Sequence, residues 1–492
     1  MSAIALLHRD QRSTAAQSRA IRQIAQRNAD QLLSHAKSLA AQGQWQAVAE
    51  FLTPVLTSGL PNPDLIRLGA EAFLICDLPH KTVRLLRRDG VPVLQDGHAL
   101  ALLGQALSAS GRSDDARPLL AQAMVKGYPF AGLALGQLHL QRGRITAACA
   151  AWRDTVQRAP EAGDAWMHLA QFGDLAQDPD ARAQLDAAAA LPMPAAARTC
   201  LEFARGNVAL DQGDGEAGFA HLDMANTCHR ALSRYDRARD AAIFAAIQAR
   251  CATLPQPDAQ PAQTLFITGL PRSGSSLVAR ALARHPQVHD AGELAALYKS
   301  IAPEFDDLSP TALNRIAASY REMVQPLRQD APLLIDKMPL NLRWIGPALA
   351  AMPEARVIYL RRPRAAVALS LYRHHLSCAS NRFAYDWADI LHYLTLCDAL
   401  ISFWQERWGP DRLRVVEFHD FVTSPETQIP ALLGFCGLPD DRNCLSPHLG
   451  SSETKTASAR QVLSPISADL ANGWMRWADE VETRLDVVAK ML

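Results

Sequence analysis

Residues Gly269 to Ser276, reading GLPRSGSS, combine the residue types needed to hold an oxyanion. Two glycines five positions apart let the backbone curl so that successive N–H groups converge. The amphipathic pattern from Ser275 onward supplies the positive end of a helix, and Arg272 adds a full charge. An apolar run, Leu265 to Ile267, precedes the loop, so the segment 264–286 reads as strand, loop and helix. Nucleotide hydrolases share this outline but place Lys and then Ser/Thr after the second glycine. Here that pair is Ser275 and Ser276, and no acidic strand end for magnesium stands out, which disfavours a nucleotide kinase or ATPase. A tight strand-to-helix turn with no ligand is the plain alternative.

PRSGSS after a strand, with His285-Pro286 closing the helix, resembles the 5′-phosphosulfate loop of the sulfotransferase family. The likeness is greatest to the branch that holds protein-tyrosine sulfotransferases and bacterial proteins fusing tetratricopeptide repeats to such a domain. The resemblance implies 3′-phosphoadenosine 5′-phosphosulfate (PAPS) as sulfuryl donor, with Arg272, Ser273, Gly274, Ser275 and Ser276 around its 5′-phosphosulfate. Three further segments fall where the family places functional residues. In Asp290-Ala291-Gly292-Glu293 the Gly-Glu pair is similar to the one that supplies the catalytic base; Glu293 could equally cap the helical pattern that follows. Lys337, in LIDKMP at the end of an apolar strand, resembles the lysine that steadies the bridging oxygen of the donor, against the alternative of a solvated strand end. Arg362 and Ser370, eight residues apart, resemble the 3′-phosphate segment, with Arg373 as a weaker third contact. Arg361 beside Arg362 leaves open which arginine does this. Near the C-terminus, Ser458 matches the serine of the family's late loop and would donate to the sulfuryl or bridging oxygens. Two departures stand out: Gly473 precedes Trp474 where a lysine is expected, with Arg476 a substitute, and Phe418 stands where a tyrosine is expected.

The elements that must position these residues are short β-rich runs, TLFITGL, PLLIDKM, ARVIYLRR and RLRVVEFHDF, alternating with helical segments. That alternation implies a parallel sheet covered on both faces. The first half differs. Gly43, Gly111, Gly143 and Gly213 open similar segments, with weaker turns at Leu78 and near Gln177, so turns recur every 32 to 36 residues. Alanine- and leucine-rich helices flank each turn, and such a pair cannot bury its apolar face alone, so neighbours must stack. The region resembles tetratricopeptide repeats, and an irregular helical bundle is the alternative. TLPQPDAQPAQ reads as a linker. The expected organisation is a helical repeat domain over 30–252, a linker over 253–263 and an α/β sulfotransferase domain of P-loop type over 264–492.

Composition sets outer limits. With Lys+Arg 50 against Asp+Glu 50 the chain has no bulk charge to attract nucleic acid. Nine scattered cysteines form no C-x-x-C pair, and His285, His289, His374, His375 and His392 lack ligand spacing, so no metal and no disulfide framework are expected. The N-terminus lacks the pattern of a signal peptide, and no 18 apolar residues run unbroken, so a cytoplasmic protein without a membrane span is expected. Together the motifs lead to a PAPS-dependent sulfotransferase acting on an acceptor hydroxyl, with a protein or peptide tyrosine favoured through the repeats. A small-molecule or glycan hydroxyl and a repeat scaffold with an inactive domain are the alternatives.

Overall fold

The computed structural model describes residues 28–58, 62–88, 95–232, 234–328, 330–376, 379–450 and 463–490. The first 27 residues and Ser458 lie outside them. The chain divides into two compact units, 1–169 and 170–492. Among the described residues no helix is long and apolar enough to cross a membrane.

The first unit is built of helices α1 (Ala29–Ala41), α2 (Trp45–Thr57), α3 (Pro63–Ile75), α4 (Pro79–Leu86), α5 (Gly97–Ala109), α6 (Ser113–Val125), α7 (Ala131–Gln141) and α8 (Ile145–Arg158). Their apolar stripes meet in one core that runs from Leu32 through Leu52, Leu65, Leu100 and Leu120 to Leu138. The repeated turns have one construction. At Gly111 (φ 76°) the glycine N–H donates to Ser108 O at 3.0 Å and Arg112 N–H to Leu107 O at 2.8 Å, the paired bonds that close a helix through a left-handed residue. The same pair recurs at Gly43, Gly143 and Gly213, and at the weaker turn Asp77 takes the left-handed place with φ 57°.

The second unit opens within α9 (Gly163–Phe172) and continues with α10 (Pro179–Ala188), α11 (Ala195–Gln212), α12 (Gly215–Leu232) and α13 (Arg237–Cys251). The proline-rich stretch after α13 has no regular secondary structure, yet its backbone is strapped down. Gln260 N–H donates to Pro353 O (3.1 Å), Gln263 N–H to Glu354 O (3.0 Å), and the Arg412 guanidinium to Pro257 O (3.1 Å).

A five-stranded parallel sheet follows, in the order β2-β3-β1-β4-β5. Its strands are β1 (Thr264–Gly269), β2 (Val288–Asp290), β3 (Leu333–Lys337), β4 (Ala355–Arg361) and β5 (Leu413–Glu417). Every residue of β1 and β3 is buried, as expected for strands covered on both faces. The covering helices are α14 (Ser275–Leu282), α15 (Ala296–Ile301), α16 (Pro310–Val324), α17 (Ile345–Ala351), α18 (Arg364–Tyr372), α19 (Trp387–Arg412), α20 (Phe418–Thr423), α21 (Pro425–Phe435), α22 (Asp469–Asn472) and α23 (Ala478–Ala489). The chain passes from β1 to β2 and β3 on one side, then to β4 and β5 on the other, so the crevice at the carboxyl end of β1 is the switch point where open α/β sheets bind ligands.

Helices α11 to α13 are integral to this unit. Asn226 Nδ2 donates to Tyr372 O and Asn207 Nδ2 to Arg373 O, both at 2.9 Å. These two amides satisfy carbonyls at the end of α18 that no helical partner reaches. Tyr372 Oη donates to Asp223 (2.6 Å), and Arg237 pairs with Asp389 (2.6 Å). A fragment beginning at residue 264 leaves these groups without partners. We expect it to be insoluble or non-cooperative in urea, whereas residues 170–492 unfold in one transition.

Candidate active site

Four strand ends deliver the charged residues to one edge of the sheet. β1 ends at Gly269 and runs into the loop, β2 ends at Asp290 before Glu293, β3 ends at Lys337, and β4 ends at Arg361 before Arg362. Because β3, β1 and β4 are adjacent, the loop is flanked by Lys337 on one side and Arg362 on the other.

The loop is shaped by two close approaches. A Cβ at Gly269 (φ 152°) would meet Ser273 Oγ at 2.7 Å and Leu360 O at 2.8 Å, and one at Gly274 (φ 102°) would collide with the Phe418 ring. Arg272 itself is left-handed (φ 72°), a conformation that costs a non-glycine residue about 1–3 kcal/mol and has to be held by its surroundings. What holds it is visible. Arg272 Nε donates to Ser370 Oγ (3.0 Å), its Nη2 lies 3.3 Å from His374 Nε2, and Arg362 Nη1 donates to Arg272 O (3.2 Å). His374 Nδ1 sits 2.7 Å from Ser370 O. Burial, together with the Arg272 and Arg373 charges, holds this imidazole well below its usual range. A neutral ring with its proton on Nδ1 satisfies both contacts, donating to the carbonyl and accepting from Arg272.

Arg362 is turned inward. It donates to Leu470 O (2.9 Å) and lies over the Phe418 ring at 5.0 Å. Burial pulls its guanidinium down to about 10. Arg272 is likewise pulled to about 10, first by burial and then by repulsion from Arg362 and Arg373. Two partly buried cations side by side favour an anion held between them. Ser273 Oγ and Arg362 Nε are buried without hydrogen-bond partners, a donor set that fits a phosphate or sulfate group. Arg361 faces elsewhere, pairing with Glu417 (3.3 Å) and Gln405 (3.2 Å). Phe418 thus supports both the loop glycine and the inward arginine, a packing role in which its ring suffices.

Lys337 and Glu293 meet directly as an ion pair, with the lysine side chain 3% and the glutamate 44% exposed. Glu293 does not cap the following helix, which starts at Ala296 with Ala295 before it. The turn that carries it is stitched to β3 by Ala291 N–H to Ile335 O and Lys337 N–H to Gly292 O, both 3.0 Å. Asp290 Oδ1 accepts from Gly292 N–H at 2.9 Å.

Of the residues named from sequence, Arg272, Arg362 and Ser370 converge around the loop of Ser273, Gly274, Ser275 and Ser276, and Lys337 joins Glu293. Ser370 meets Arg272 rather than Arg362. Arg373 is engaged by Asn207 Oδ1 (2.6 Å) and Asp211 (3.1 Å), and Arg476 shares the same Asp211 oxygen at 3.3 Å. His374 was not among the expected site residues; its place one turn after Ser370 is the only sequence signal it gives. Among the described residues no group of three or more His, Cys, Asp or Glu is arranged to hold a metal.

Asp336, fully buried beside Lys337, offers a titration that can be followed. Burial pushes its carboxyl up to about 7, against hydrogen bonds from Tyr320 Oη and Asn341 Nδ2. Unfolded, the same group titrates near about 4. The folded state therefore holds the extra proton between these values, so the contribution is full below about pH 4 and lost as the pH rises to about 7. Relative to Asp336→Asn, the wild-type protein should lose on the order of a few kcal/mol of stability between about pH 4.5 and 7.5, read from urea melts at both.

Residues 264–442 match the model of the Sulfotransferase family. The chain is 23% identical over 252 residues to protein-tyrosine sulfotransferase A of Caenorhabditis elegans, covering 46% of this chain and 65% of that protein. It is 23% identical over 253 residues to a putative protein-tyrosine sulfotransferase of Caenorhabditis briggsae, covering 47% of this chain and 87% of the relative. An uncharacterized protein of Aquifex aeolicus (strain VF5) is 29% identical over 237 residues, 43% of this chain; the match spans only 30% of that protein's length. Among solved structures, the sulfotransferase domain of the Synechococcus PCC 7002 olefin synthase aligns with 47% of this chain and 98% of its own, at 22% identity and a TM-score of 0.35.

Proposed function

We propose that the second unit is a PAPS-dependent sulfotransferase whose acceptor is a tyrosine hydroxyl of a protein or peptide, recruited with the help of a tetratricopeptide-like first unit. The observation that carries the reading is the meeting of two partly buried arginines with an unpartnered buried hydroxyl at the β1 loop, flanked on β3 by a lysine–glutamate pair. The loop Arg272–Ser276 would hold the 5′-phosphosulfate, and Arg362 with Ser370 the 3′-phosphate. When bound, PAPS supplies an activated sulfuryl group whose leaving nucleotide needs charge neutralised.

The chain's own residues divide the remaining work. Glu293, partly exposed, is open to an incoming hydroxyl and takes its proton on a carboxylate oxygen. Lys337 gives up that carboxylate as it becomes protonated and turns its charge to the departing oxygen. Arg272, held by His374 and Ser370, would offer its charge to the donor's phosphosulfate without reorganising. Ser458 is assigned by resemblance alone. The tyrosine acceptor is supported by the names of the Caenorhabditis relatives and by the Gly292-Glu293 pair.

The test is calorimetric titration with 3′-phosphoadenosine 5′-phosphate, the spent donor, beside ATP. Micromolar binding of the bisphosphate that ATP cannot match is the expected result. Absence of binding, or equal binding of ATP with magnesium-dependent turnover, rejects the reading. Transfer of sulfur-35 to tyrosine peptides but not to sugars or simple phenols then decides the acceptor.

A further inference from the structure

Four consecutive residues at the end of α18, Tyr372 to His375, are fixed by hydrogen bonds that converge from other elements. Asn226 on α12 donates from Nδ2 to Tyr372 O, and Asn207 on α11 from Nδ2 to Arg373 O, both at 2.9 Å. The Tyr372 hydroxyl donates to Asp223 of α12, and the Arg373 guanidinium reaches Asn207 Oδ1 and Asp211 of α11. His375 is held by the same two helices. Its Nε2 lies 3.3 Å from His229 Nδ1 on α12, and its Nδ1 lies 3.8 Å from Cys200 Sγ on α11. His374 instead meets the loop after β1, with its Nε2 3.3 Å from Arg272 Nη2.

An imidazole suits that place. Its Nδ1 donates to Ser370 O at 2.7 Å, one turn back, which leaves Nε2 as the acceptor a guanidinium needs. Ser370 Oγ accepts from Arg272 Nε at 3.0 Å, so two side chains one turn apart take the same arginine. Arg272 has φ 72°, a left-handed conformation that persists only where the surroundings enforce it. We propose that His374 is a positioning residue, which carries the grip of α11 and α12 to Arg272 and so fixes the loop between β1 and α14. Helices with the texture of the preceding repeats thus set the rigidity of a loop far along the chain. The consequence for the donor rests on the sulfotransferase reading above; the mechanical link does not.

The experiment compares His374→Phe, His374→Gln and Asn226→Ala with wild type on the full chain, by hydrogen–deuterium exchange and by calorimetric titration of 3′-phosphoadenosine 5′-phosphate. Phenylalanine keeps the bulk of the ring without an acceptor, whereas the glutamine amide oxygen can accept from Arg272. In His374→Phe the amides of residues 269–276 should exchange roughly 10-fold faster or more, with β3 and β5 unchanged, as a local opening requires. Affinity for the bisphosphate should fall about 10-fold or more, the loss of one hydrogen bond to a charged group. His374→Gln should regain most of both. Asn226→Ala, which removes the brace on Tyr372 O, should shift both the same way by a smaller factor. If it does not fold, Asn207→Ala takes its place in the exchange measurement. Wild-type exchange in His374→Phe, equal behaviour of Phe and Gln, or a rise spread over all five strands overturns the proposal in favour of a merely space-filling ring. An unaltered loop in the asparagine variant overturns the link to α11 and α12, and a looser loop with unchanged affinity overturns the consequence for the donor. If wild type binds no bisphosphate, the sulfotransferase reading falls, and the exchange result still decides the role of His374.

Discussion

Glu293→Gln should lower kcat for sulfuryl transfer by about 10²- to 10⁴-fold, the range that a positioned general base contributes. The change is nearly isosteric, and the amide oxygen still accepts from Lys337, so the buried lysine keeps a hydrogen-bond partner. Glu293 is 44% exposed but Lys337 only 3%, so neutralising the carboxylate leaves a buried ammonium with only a neutral acceptor and should cost about 1–3 kcal/mol of stability. Affinity for 3′-phosphoadenosine 5′-phosphate should be unchanged or slightly higher, because Lys337 is freed from a competing carboxylate. Single-turnover kinetics beside calorimetry separates these effects. A variant with near-normal kcat would remove Glu293 from the chemistry and point to a different base.

The second large effect is on binding. Arg362→Ala should weaken 3′-phosphoadenosine 5′-phosphate by roughly 10- to 150-fold, which corresponds to the ~1.5–3 kcal/mol of a hydrogen bond to a charged group. The loss includes more than one phosphate contact, since Arg362 also braces Arg272 through its carbonyl and packs on Phe418. Arg361→Ala is the internal control. Its guanidinium is occupied by Glu417 and Gln405, so affinity should stay within about twofold. Equal losses in both variants would mean that general positive charge, not the inward arginine, holds the nucleotide; a loss only in Arg361→Ala would reverse the assignment.

The loop was the most legible part of the site. Gly269, Arg272 and Gly274 sit where a strand must end and a helix begin, and that local grammar is complete within a dozen residues. Lys337 and Arg362 were legible as strand ends, because the edge a parallel strand points to is fixed by chain direction. The repeated turns were legible for the same local reason, down to Asp77 standing in where glycine is absent.

Other features depend on residues far apart in sequence. Nothing near Arg361 or Arg362 says which one faces the loop; the strand pairing of β4 with β5 turns Arg361 toward Glu417 and leaves its neighbour inward. Arg373 has the composition of a phosphate ligand, yet Asn207 and Asp211, more than 160 residues earlier, engage it. Phe418 looked like a lost tyrosine and instead fills the space over Gly274 that no side chain there could share. Helices α11 to α13 have the texture of the preceding repeats, but their polar residues meet α18 and α19 and make them part of the second unit.

The sequence by itself determined the α/β sheet, the glycine loop that joins its first strand to a helix, the recurring helical turns and the identity of the charged strand ends, since each is written in short-range periodicity and turn chemistry. Only the tertiary structure decided which charges meet which. Burial depresses the Arg272 and Arg362 guanidiniums, Glu293 comes on to Lys337, and Asp336 is buried beside that lysine, because desolvation and pairing depend on what packs nearby and not on what lies next along the chain.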